Sequence, residues 1–246
     1  MTDLVPAHAP VRLAVANKAG VVDAAFPIRR IYCVGRNFAD HAREMGAEVA
    51  ALKSERGTPV FFLKPADAVV TDGVVPYPPG TQDLHHEVEL IVALGKDAEP
   101  GVLLDREAAE SLVLAYGIGL DLTRRDLQAT AKSKGLPWDT GKSFDACAVA
   151  SPLVMTSDVP DLDTLGLSLR VNGELRQQGR FVDLVWDVPD ILIELSRLYA
   201  LKAGDLIYMG TPSGVAALHP GDHFTATLDG TALQMDGRVV DTRLND

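Results

Sequence analysis

The sequence predicts a β-rich α+β fold. Short apolar runs bounded by Gly, Pro and Asn-Gly turn signals recur along the chain, and they outnumber the segments with helical spacing. These strand candidates do not alternate regularly with helices, which disfavours a doubly wound parallel sheet. The chain has 246 residues, 47% hydrophobic and 23% charged, so it can bury a sizeable core and is not predominantly disordered. We expect one main domain, residues 28–246, preceded by a short N-terminal appendage, residues 1–27.

The first half of the chain consists mainly of predicted strands. They are expected at 11–15, 21–25, 30–34, 60–63, 67–70 and 87–94. The first two flank the turn signal Asn-Lys-Ala-Gly at 17–20, which indicates a hairpin. A helix is expected at 37–45, and Gly46 is suited to end it. The segment 46–58 is polar and contains glycines at 46 and 57, and it is expected to be a mobile loop or lid.

The second half mixes predicted helices with further strands. Helices are expected at 105–114, from Thr123 to about Lys134, and at 188–200. Thr123 and Asp126 form the T-x-x-D pattern of a capping box, and Gly135 is suited to end that helix. Further strands are expected at 116–120, 167–171, 205–209, 223–228 and 232–241. Asn172-Gly173 is a strong signal for a hairpin turn directly after the strand expected at 167–171.

Charge and cysteine content limit the classes of partner. Lys and Arg total 23 and Asp and Glu total 34, which gives a formal net charge of −11. An acidic chain without a basic cluster fits neither nucleic acid nor an anionic membrane surface, and we expect neither as a partner. Cys33 and Cys147 are far apart and lack metal-ligand spacing, so we expect free thiols in a reducing compartment. Without a signal peptide or an apolar run of about 18 residues, the chain is expected to be cytoplasmic.

Three carboxylates are candidate metal ligands. In a strand over 87–94, Glu87 and Glu89 share one face, roughly 6.6–7 Å apart. Such a pair raises the pKa of each carboxyl unless a cation is present, and Mg²⁺ or Mn²⁺ meets this need. Asp121 follows the apolar strand 116–120, where a strand end often delivers a ligand. The alternatives are glutamates that face solvent on a half-exposed strand and an aspartate that caps a turn.

Two pairs of polar residues are candidates for acid–base work and anion binding. His41 and Glu44 are three residues apart on a predicted helix, so the carboxylate can orient the imidazole as a general base acting on water. Arg125 and Gln128 are also three apart and can hold an anionic oxygen beside a metal. The alternatives are an incidental surface ion pair and a solvated polar helix face.

Weaker signals and absent motifs narrow the chemistry further. Lys142 in Gly-Lys-Ser-Phe and Thr211 in Gly-Thr-Pro-Ser-Gly are candidates for anion binding, although lone lysines and Gly/Pro turns are common without a function. The chain lacks G-x-S-x-G, Walker and G-x-G-x-x-G motifs, which favours metal-assisted acid–base chemistry over covalent catalysis. An alternative Fe(II) site would use His85, His86 and a glutamate, but adjacent strand residues point to opposite faces.

Seven ordered segments of the chain resemble those of the fumarylacetoacetate hydrolase family. They are IYCVGRNFADHAREMG (31–46), FFLKPADAVV (61–70), DLHHEVELIVALG (83–95), GLDLTRRDLQ (119–128), KGLPWDTGKSFD (134–145), VNGELRQ (171–177) and GDLIYMGTPSGV (204–215). Together they cover most of the chain, and seven motifs in order are highly specific. The likeness is strongest to the short, single-domain members, the acylpyruvases and fumarylpyruvate hydrolases.

This resemblance implies a fold, a cofactor and roles for individual residues. The fold would be the mixed β-sandwich roll of the family's C-terminal catalytic domain, usually found as a homodimer. The metal, Mg²⁺ or Mn²⁺, would be held by Glu87, Glu89 and Asp121. His41 and Glu44 would form a catalytic dyad on a lid segment, and Lys142 would also act in catalysis. The oxo-acid would be bound by Arg36, Arg125, Gln128 and Thr211.

The chain departs from the family pattern at two places. Phe38 stands where many relatives have Tyr, which removes a hydroxyl near the dyad. Residues 47–58 match no family segment, and this is where the acyl tail would be selected. Selectivity for the tail is therefore the property that the resemblance specifies least.

The resemblance implies hydrolytic C–C cleavage of a 3-acylpyruvate, such as fumarylpyruvate, to pyruvate and a carboxylic acid. The alternative is decarboxylation of oxaloacetate, which uses the same stabilisation of an enolate by a metal but needs no attacking water. A third hypothesis is a relative that binds without catalysis, although all the candidate catalytic positions are filled in this chain.

Overall fold

The computed structural model describes residues 4–6, 8–17, 20–44 and 55–242. Within these ranges, strands predominate over a few short helices and are organised in three sheets. The β-rich α+β class predicted from the sequence is therefore confirmed. Residues 46–54 of the loop or lid predicted at 46–58 lie outside the described residues. None of the helices in the described ranges has the length and apolar composition that crossing a membrane requires.

A ten-stranded mixed sheet contains most of the central strands. Its strands are β1 Arg12–Asn17, β2 Gly20–Pro27, β3 Arg30–Gly35, β4 Val60–Lys64, β5 Val69–Val70, β8 Val88–Leu94, β9 Val113–Asp121, β11 Ala148–Ala150, β12 Leu153–Met155 and β15 Asp205–Tyr208. The main order is β2-β1-β12-β9-β8-β15-β3-β4, and β11 pairs with β5 and β9. Most neighbours are antiparallel, whereas β1–β12, β3–β15 and β5–β11 are parallel.

Two smaller sheets complete the β structure. The five-stranded sheet consists of β6 Val74–Pro76, β13 Gly166–Val171, β14 Glu174–Arg180, β17 His223–Asp229 and β18 Gln234–Val240, and the three-stranded sheet of β7 Leu84–His86, β10 Thr123–Arg124 and β16 Ala216–Leu218. Strands β13 and β14 form the hairpin predicted at Asn172-Gly173. Asn172 has a φ of 53° and Gly173 a φ of 83°, as expected for the turn that Asn-Gly favours.

The helices are short and their ends have identifiable causes. They are α1 Ala39–Glu44, α2 Arg106–Leu112, α3 Arg125–Lys134, α4 Asp139–Lys142 and α5 Val188–Ser196. The carboxylates of Asp105 and Asp187 accept backbone N–H groups at the starts of α2 and α5. Gly135 ends α3 with a left-handed φ of 63°, as predicted.

The predicted capping box at Thr123 is wrong. Thr123 lies in the short strand β10, and α3 begins two residues later at Arg125. The Asp126 carboxylate accepts from the Thr81 hydroxyl at 2.6 Å and from the Leu127 N–H, so it does not reach back to Thr123. Strand pairing of Thr123 with His85 replaces the helical start that the local pattern favours.

Two predicted helices are longer than the observed ones. Helix α2 ends at Leu112 rather than 114, because Val113 adopts an extended conformation and pairs with Leu94. Helix α5 ends at Ser196 rather than 200, and a turn returns the N–H groups of Leu198 and Tyr199 to the Leu195 carbonyl. The predicted strand 67–70 is also shorter, since 66–68 form one helical turn before β5.

Strand β8 explains how carboxylates come to lie inside the protein. It is placed between β9 and β15, and all of its residues are buried. Leu90 and Val92 join the larger hydrophobic cluster, whereas Ile91 and Ala93 join a smaller cluster. The side chains alternate as predicted, but both faces are covered, so the half-exposed strand is excluded for Glu89.

The N-terminal residues form the predicted hairpin and join the large sheet. Strands β1 and β2 pair in antiparallel register, and β1 pairs in parallel with β12 at Val15 and Leu153. Leu13 and Phe26 are buried in the smaller cluster. The division of the chain into an appendage and a main domain at residue 28 stays a prediction. The two cysteines, Cys33 and Cys147, are buried free thiols.

Candidate active site

The three predicted metal ligands meet in the interior. Glu87 lies in the link between β7 and β8, Glu89 is the second residue of β8, and Asp121 is the last residue of β9. The antiparallel register pairs Val88 with Leu120, and the Asp121 N–H donates to the Glu87 carbonyl at 2.8 Å. All three side chains are buried, and one oxygen of each lies within 4.8 Å of the others. The sheet register thus brings distant carboxylates to one point.

Two buried lysines contact this carboxylate cluster. Lys142 Nζ donates to Glu87 Oε2 at 2.7 Å, Asp121 Oδ2 at 2.6 Å and Thr123 Oγ1 at 2.7 Å. Lys64 Nζ lies 2.7 Å from Asp121 Oδ1 and donates to the carbonyls of Leu122 and Lys142. Burial lowers the pKa of both lysines, but the carboxylates outweigh it and raise the pKa. Both ammonium groups are therefore charged at neutral pH.

The carboxylates differ in how well their charges are compensated. Burial raises the pKa of Glu87, but Lys142 and Arg125 outweigh it and hold that pKa well below its ordinary value. The pKa of Glu89 is raised well above its ordinary value by burial and by the charges of Asp121 and Glu87. Only the Gly210 N–H, 2.7 Å from Oε2, donates to the Glu89 carboxylate among the described residues. Among the three carboxylates, Glu89 is therefore the one whose charge the neighbouring cations compensate least.

A divalent cation fits this arrangement. Clustered carboxylate oxygens are hard ligands of the kind that Mg²⁺ and Mn²⁺ prefer, and a dication would relieve the repulsion that raises the pKa of Glu89. The alternative Fe(II) site is not assembled. His85 contacts Asp83 and His86 contacts Gln177, each at 2.8 Å, and neither histidine belongs to the ligand cluster found in the described ranges.

The predicted anion-binding residues surround a cavity beside the carboxylates. Arg125 forms an ion pair with Glu87, and its Nη1 donates to Gln128 Oε1 at 2.6 Å. Gln128 and Thr211 are buried, whereas Arg36 is exposed at the mouth of the cavity. Gln177 Nε2 donates to Thr211 Oγ1 at 2.8 Å, which leaves the Thr211 hydroxyl proton free for an acceptor in the cavity.

The predicted dyad reaches the same cavity from helix α1. His41 Nδ1 lies 3.3 Å from Glu44 Oε2, and the His41 ring is buried against the cavity wall. Glu44 is 44% exposed, so the pair spans from the interior to the surface. Phe38 is buried in the large hydrophobic cluster next to α1.

The backbone that carries Arg36 is held by its neighbour Asn37. Arg36 has a φ of 60°, which is uncommon for a residue other than Gly. The Asn37 side chain donates to the carbonyls of Trp186 and Met209 and accepts the Trp186 N–H at 2.8 Å. This buried amide ties the start of α1 to the turn before Gly210, which contacts Glu89.

Several residues at the site were not predicted as such. They are Phe62, Lys64, Thr123, Lys132, Trp138 and Gln177. Helical spacing was a usable signal for Lys132, which lies four residues after Gln128 on the same face of α3. A lysine that ends an apolar strand before a proline was a weaker signal for Lys64. Sequence spacing offers no signal for Thr123, because its role depends on the position of Lys142.

Comparisons with known proteins show similarity over most of the chain. Residues 30–240 match the family described as "Fumarylacetoacetate (FAA) hydrolase C-terminal". The crystal structure of fumarylpyruvate hydrolase from Pseudomonas aeruginosa, in complex with Mn²⁺ and pyruvate, has a TM-score of 0.87 and 41% identity, covering 98% of this chain and 100% of that one. The mitochondrial oxaloacetate tautomerase FAHD1 of Mus musculus is 42% identical over 203 residues, 82% of this chain and 88% of that protein. The mitochondrial oxaloacetate decarboxylase of Dictyostelium discoideum is 36% identical over 214 residues, 86% of this chain and 94% of that protein.

Proposed function

Because the chain belongs to the fumarylacetoacetate hydrolase family, we propose that it is a metal-dependent hydrolase that cleaves a C–C bond of a 3-acylpyruvate. A substrate like fumarylpyruvate would yield pyruvate and a carboxylic acid. The observation that carries the proposal is the buried cluster of Glu87, Glu89 and Asp121, with Lys142 and His41 lining the same cavity and Glu44 paired with His41. The Pseudomonas aeruginosa relative, crystallised with Mn²⁺ and pyruvate, supports it.

The metal ligands in this proposal are Glu87, Glu89 and Asp121, and the ion is Mg²⁺ or Mn²⁺. When bound, the ion would supply positive charge that stabilises the negative charge developing on the oxo-acid. Arg125 and Gln128 would hold the carboxylate end, and Thr211 would donate its free hydroxyl proton to it. Arg36 would attract the anion at the cavity mouth.

The His41–Glu44 pair would activate water. With Nδ1–H directed to the Glu44 carboxylate, Nε2 of His41 is left as the base that accepts a proton from water. The water oxygen would then attack the C4 carbonyl of the substrate. Burial of the His41 ring keeps the base at a fixed place on the cavity wall.

Lys142 would stabilise the negative charge that forms when the bond breaks. On collapse of the C4 adduct, the C3–C4 bond breaks and its electron pair moves to C3 and, by conjugation, to the C2 oxygen. The product is the enolate of pyruvate, which then takes a proton at C3. The Lys142 ammonium is fixed by three acceptors, so this charge stabilisation needs no reorganisation.

Oxaloacetate is the substrate of the second candidate function. The relatives from Mus musculus and Dictyostelium discoideum are named as an oxaloacetate tautomerase and an oxaloacetate decarboxylase. Both reactions pass through an enol or enolate of an oxo-acid, so the same carboxylates and Lys142 would serve them. Neither reaction needs a water nucleophile, so the role of the dyad separates them from hydrolysis.

A comparison of substrates tests the proposed function. Purified protein with Mn²⁺ is assayed by absorbance for loss of fumarylpyruvate and of acetylpyruvate, and for decarboxylation and tautomerisation of oxaloacetate. We expect the largest kcat/KM for an acylpyruvate, with pyruvate as a product and no turnover in EDTA. A larger kcat/KM for oxaloacetate would contradict the proposed hydrolase and favour the second candidate.

We also propose a cytoplasmic homodimer, on the strength of the family resemblance. Light scattering after size exclusion should give a mass about twice the 26.3 kDa of one chain. A monomer mass would overturn the proposed assembly. Fractionation of the source cells tests the compartment.

A further inference from the structure

Helix α3 brings a third polar side chain to the cavity. Arg125, Gln128 and Lys132 follow one another at spacings of three and four residues, so they lie on one face of the helix. Arg125 and Gln128 reach toward the carboxylate cluster, whereas Lys132 is half-buried farther along the same wall. In the proposed reaction Arg125 and Gln128 hold the substrate carboxylate, whereas Lys132 has no role.

Lys132 has no anionic partner among the residues that the structure describes. Across the described ranges its ammonium forms no ion pair, and its close contact is the Trp138 ring, with Nζ 5.0 Å from the ring centroid. Burial and the positive charges of Arg125 and Arg36 lower its pKa to about 8. Lys132, Arg125 and Arg36 thus converge on the cavity, and an anion bound beside Lys132 would relieve their mutual repulsion.

An aromatic wall connects Lys132 to the reaction centre. Trp138 and Phe62 pack with ring centroids 6.3 Å apart, and both line the cavity. Phe62 is next to the buried end, because Lys142 Nζ lies 4.9 Å from its ring centroid. Lys142 and Lys132 therefore stand at opposite ends of a wall made of two aromatic rings.

We propose that Lys132 binds the distal carboxylate of an acylpyruvate whose acyl tail is flat and conjugated, with Phe62 and Trp138 packing along that tail. The inference rests on the proposed function and deepens it by assigning the residues that would select for such a tail. An α,β-unsaturated tail is planar and extended, so its face can lie against aromatic rings while its terminal carboxylate is held away from the scissile bond. A lysine–carboxylate contact at a partly desolvated site is charge-assisted and stronger than a neutral hydrogen bond.

The inference predicts discrimination between tails. Fumarylpyruvate, which ends in a carboxylate, gains the contact with Lys132. The acyl tail of acetylpyruvate ends in a methyl group, which is too short to reach Lys132 and carries no charge. Lys132 is thus a specificity-determining residue and takes no part in bond cleavage.

Steady-state kinetics of Lys132→Gln tests the assignment, with Lys134→Gln as the matched control. Both lysines lie in the last turn of α3, so both variants lose the same favourable charge at the helix C-terminus. We expect Lys132→Gln to reduce kcat/KM for fumarylpyruvate roughly tenfold to hundredfold, mostly through KM. Acetylpyruvate should change less than about threefold, and Lys134→Gln should resemble the wild type. Equal losses for both acylpyruvates, or no loss for fumarylpyruvate, would overturn the inference.

A binding measurement separates this inference from the proposed hydrolysis. Fumarate and crotonate share a flat four-carbon skeleton and differ in a carboxylate against a methyl group. Calorimetry on the Mn²⁺-loaded protein should show fumarate bound roughly tenfold more tightly than crotonate, and Lys132→Gln should remove the difference. Without that preference the assignment of Lys132 fails, whatever the protein hydrolyses. Failure to hydrolyse any acylpyruvate, with the preference intact, would instead overturn the proposed function.

Discussion

The two glutamates at the site, Glu87 and Glu89, differ in ionisation because their neighbours differ. Glu87 is paired with Lys142 and Arg125, whereas Glu89 has one backbone donor and two carboxylate neighbours. Glu87 is therefore held in its ionised form, whereas the ionised form of Glu89 is disfavoured. This asymmetry makes Glu89 the residue that gains most from a bound dication.

Replacement of His41 tests the proposed base. His41→Asn keeps a polar side chain of similar size but removes the imidazole, so we expect kcat for fumarylpyruvate to fall roughly 10²–10⁴-fold. The affinity for Mn²⁺, measured by calorimetry, should stay within about threefold of wild type, because His41 is not in the carboxylate cluster. A kcat near that of the wild type would refute water activation by His41.

The metal-free protein should lose stability with rising pH because of Glu89. A carboxyl with a raised pKa in the folded state keeps its proton longer there than in the unfolded chain. Its favourable contribution is thus complete below the ordinary pKa of 4.5 and is lost as pH rises toward the raised value. We expect Glu89→Gln, in EDTA, to be more stable relative to wild type at pH 8 than at pH 5.

Urea denaturation at the two pH values measures this difference. Since Glu87 and Asp121 are retained in the variant, their contributions largely cancel. A stability difference between Glu89→Gln and wild type that does not change with pH would contradict the raised pKa. Addition of Mn²⁺ should stabilise wild type and have little effect on the variant.

At the level of elements, strand β14 is joined to the site by one buried glutamine. Gln177 Oε1 accepts from His86 Nδ1 at 2.8 Å and from the Val88 N–H at 3.1 Å. Its Nε2 donates to Thr211 Oγ1 and to the Pro212 carbonyl. The side chain thus links the five-stranded sheet to the start of β8 and to the turn after β15.

The adjacent pair Gln177 and Gln178 allows a controlled test of this link. Gln177→Ala leaves two buried donors and two acceptors without their partner, so we expect a loss of about 2–4 kcal/mol in the free energy of unfolding. KM should also rise, because the Thr211 hydroxyl is no longer oriented. Gln178 is exposed on the same strand, and Gln178→Ala should cost less than about 0.5 kcal/mol by denaturant unfolding. Similar losses in both variants would disprove the link.

Helices and strands could be predicted from the sequence where the local residue pattern and the tertiary contacts favour the same structure. The hairpin at Asn172-Gly173 and the ligand-bearing strand β8 follow from turn chemistry and alternation. Thr123 illustrates the opposite case, because pairing with His85 overrides a capping pattern. The brief strands β7, β10 and β16 were also beyond reach, since three residues or fewer carry no periodicity.

At the level of the whole molecule, the net negative charge of the chain and the cationic side chains at the cavity are separate features. A net charge of −11 disfavours nucleic acid as a partner but does not describe the cavity, where Arg36, Arg125 and Lys132 converge. An anionic substrate is therefore attracted locally. The sequence motifs identified the carboxylates and the dyad, whereas the aromatic wall required the folded chain, because Phe62 and Trp138 are distant in sequence.

Pyruvate release from fumarylpyruvate by metal-depleted protein tests the central claim most directly. Protein treated with EDTA and desalted is assayed for pyruvate before and after addition of Mn²⁺, beside Glu89→Gln. We predict no turnover without metal, recovery in the wild type on saturation with Mn²⁺, and no recovery in the variant. Pyruvate formation at the full rate by metal-depleted protein, or by Glu89→Gln, would contradict metal-dependent cleavage at this carboxylate cluster.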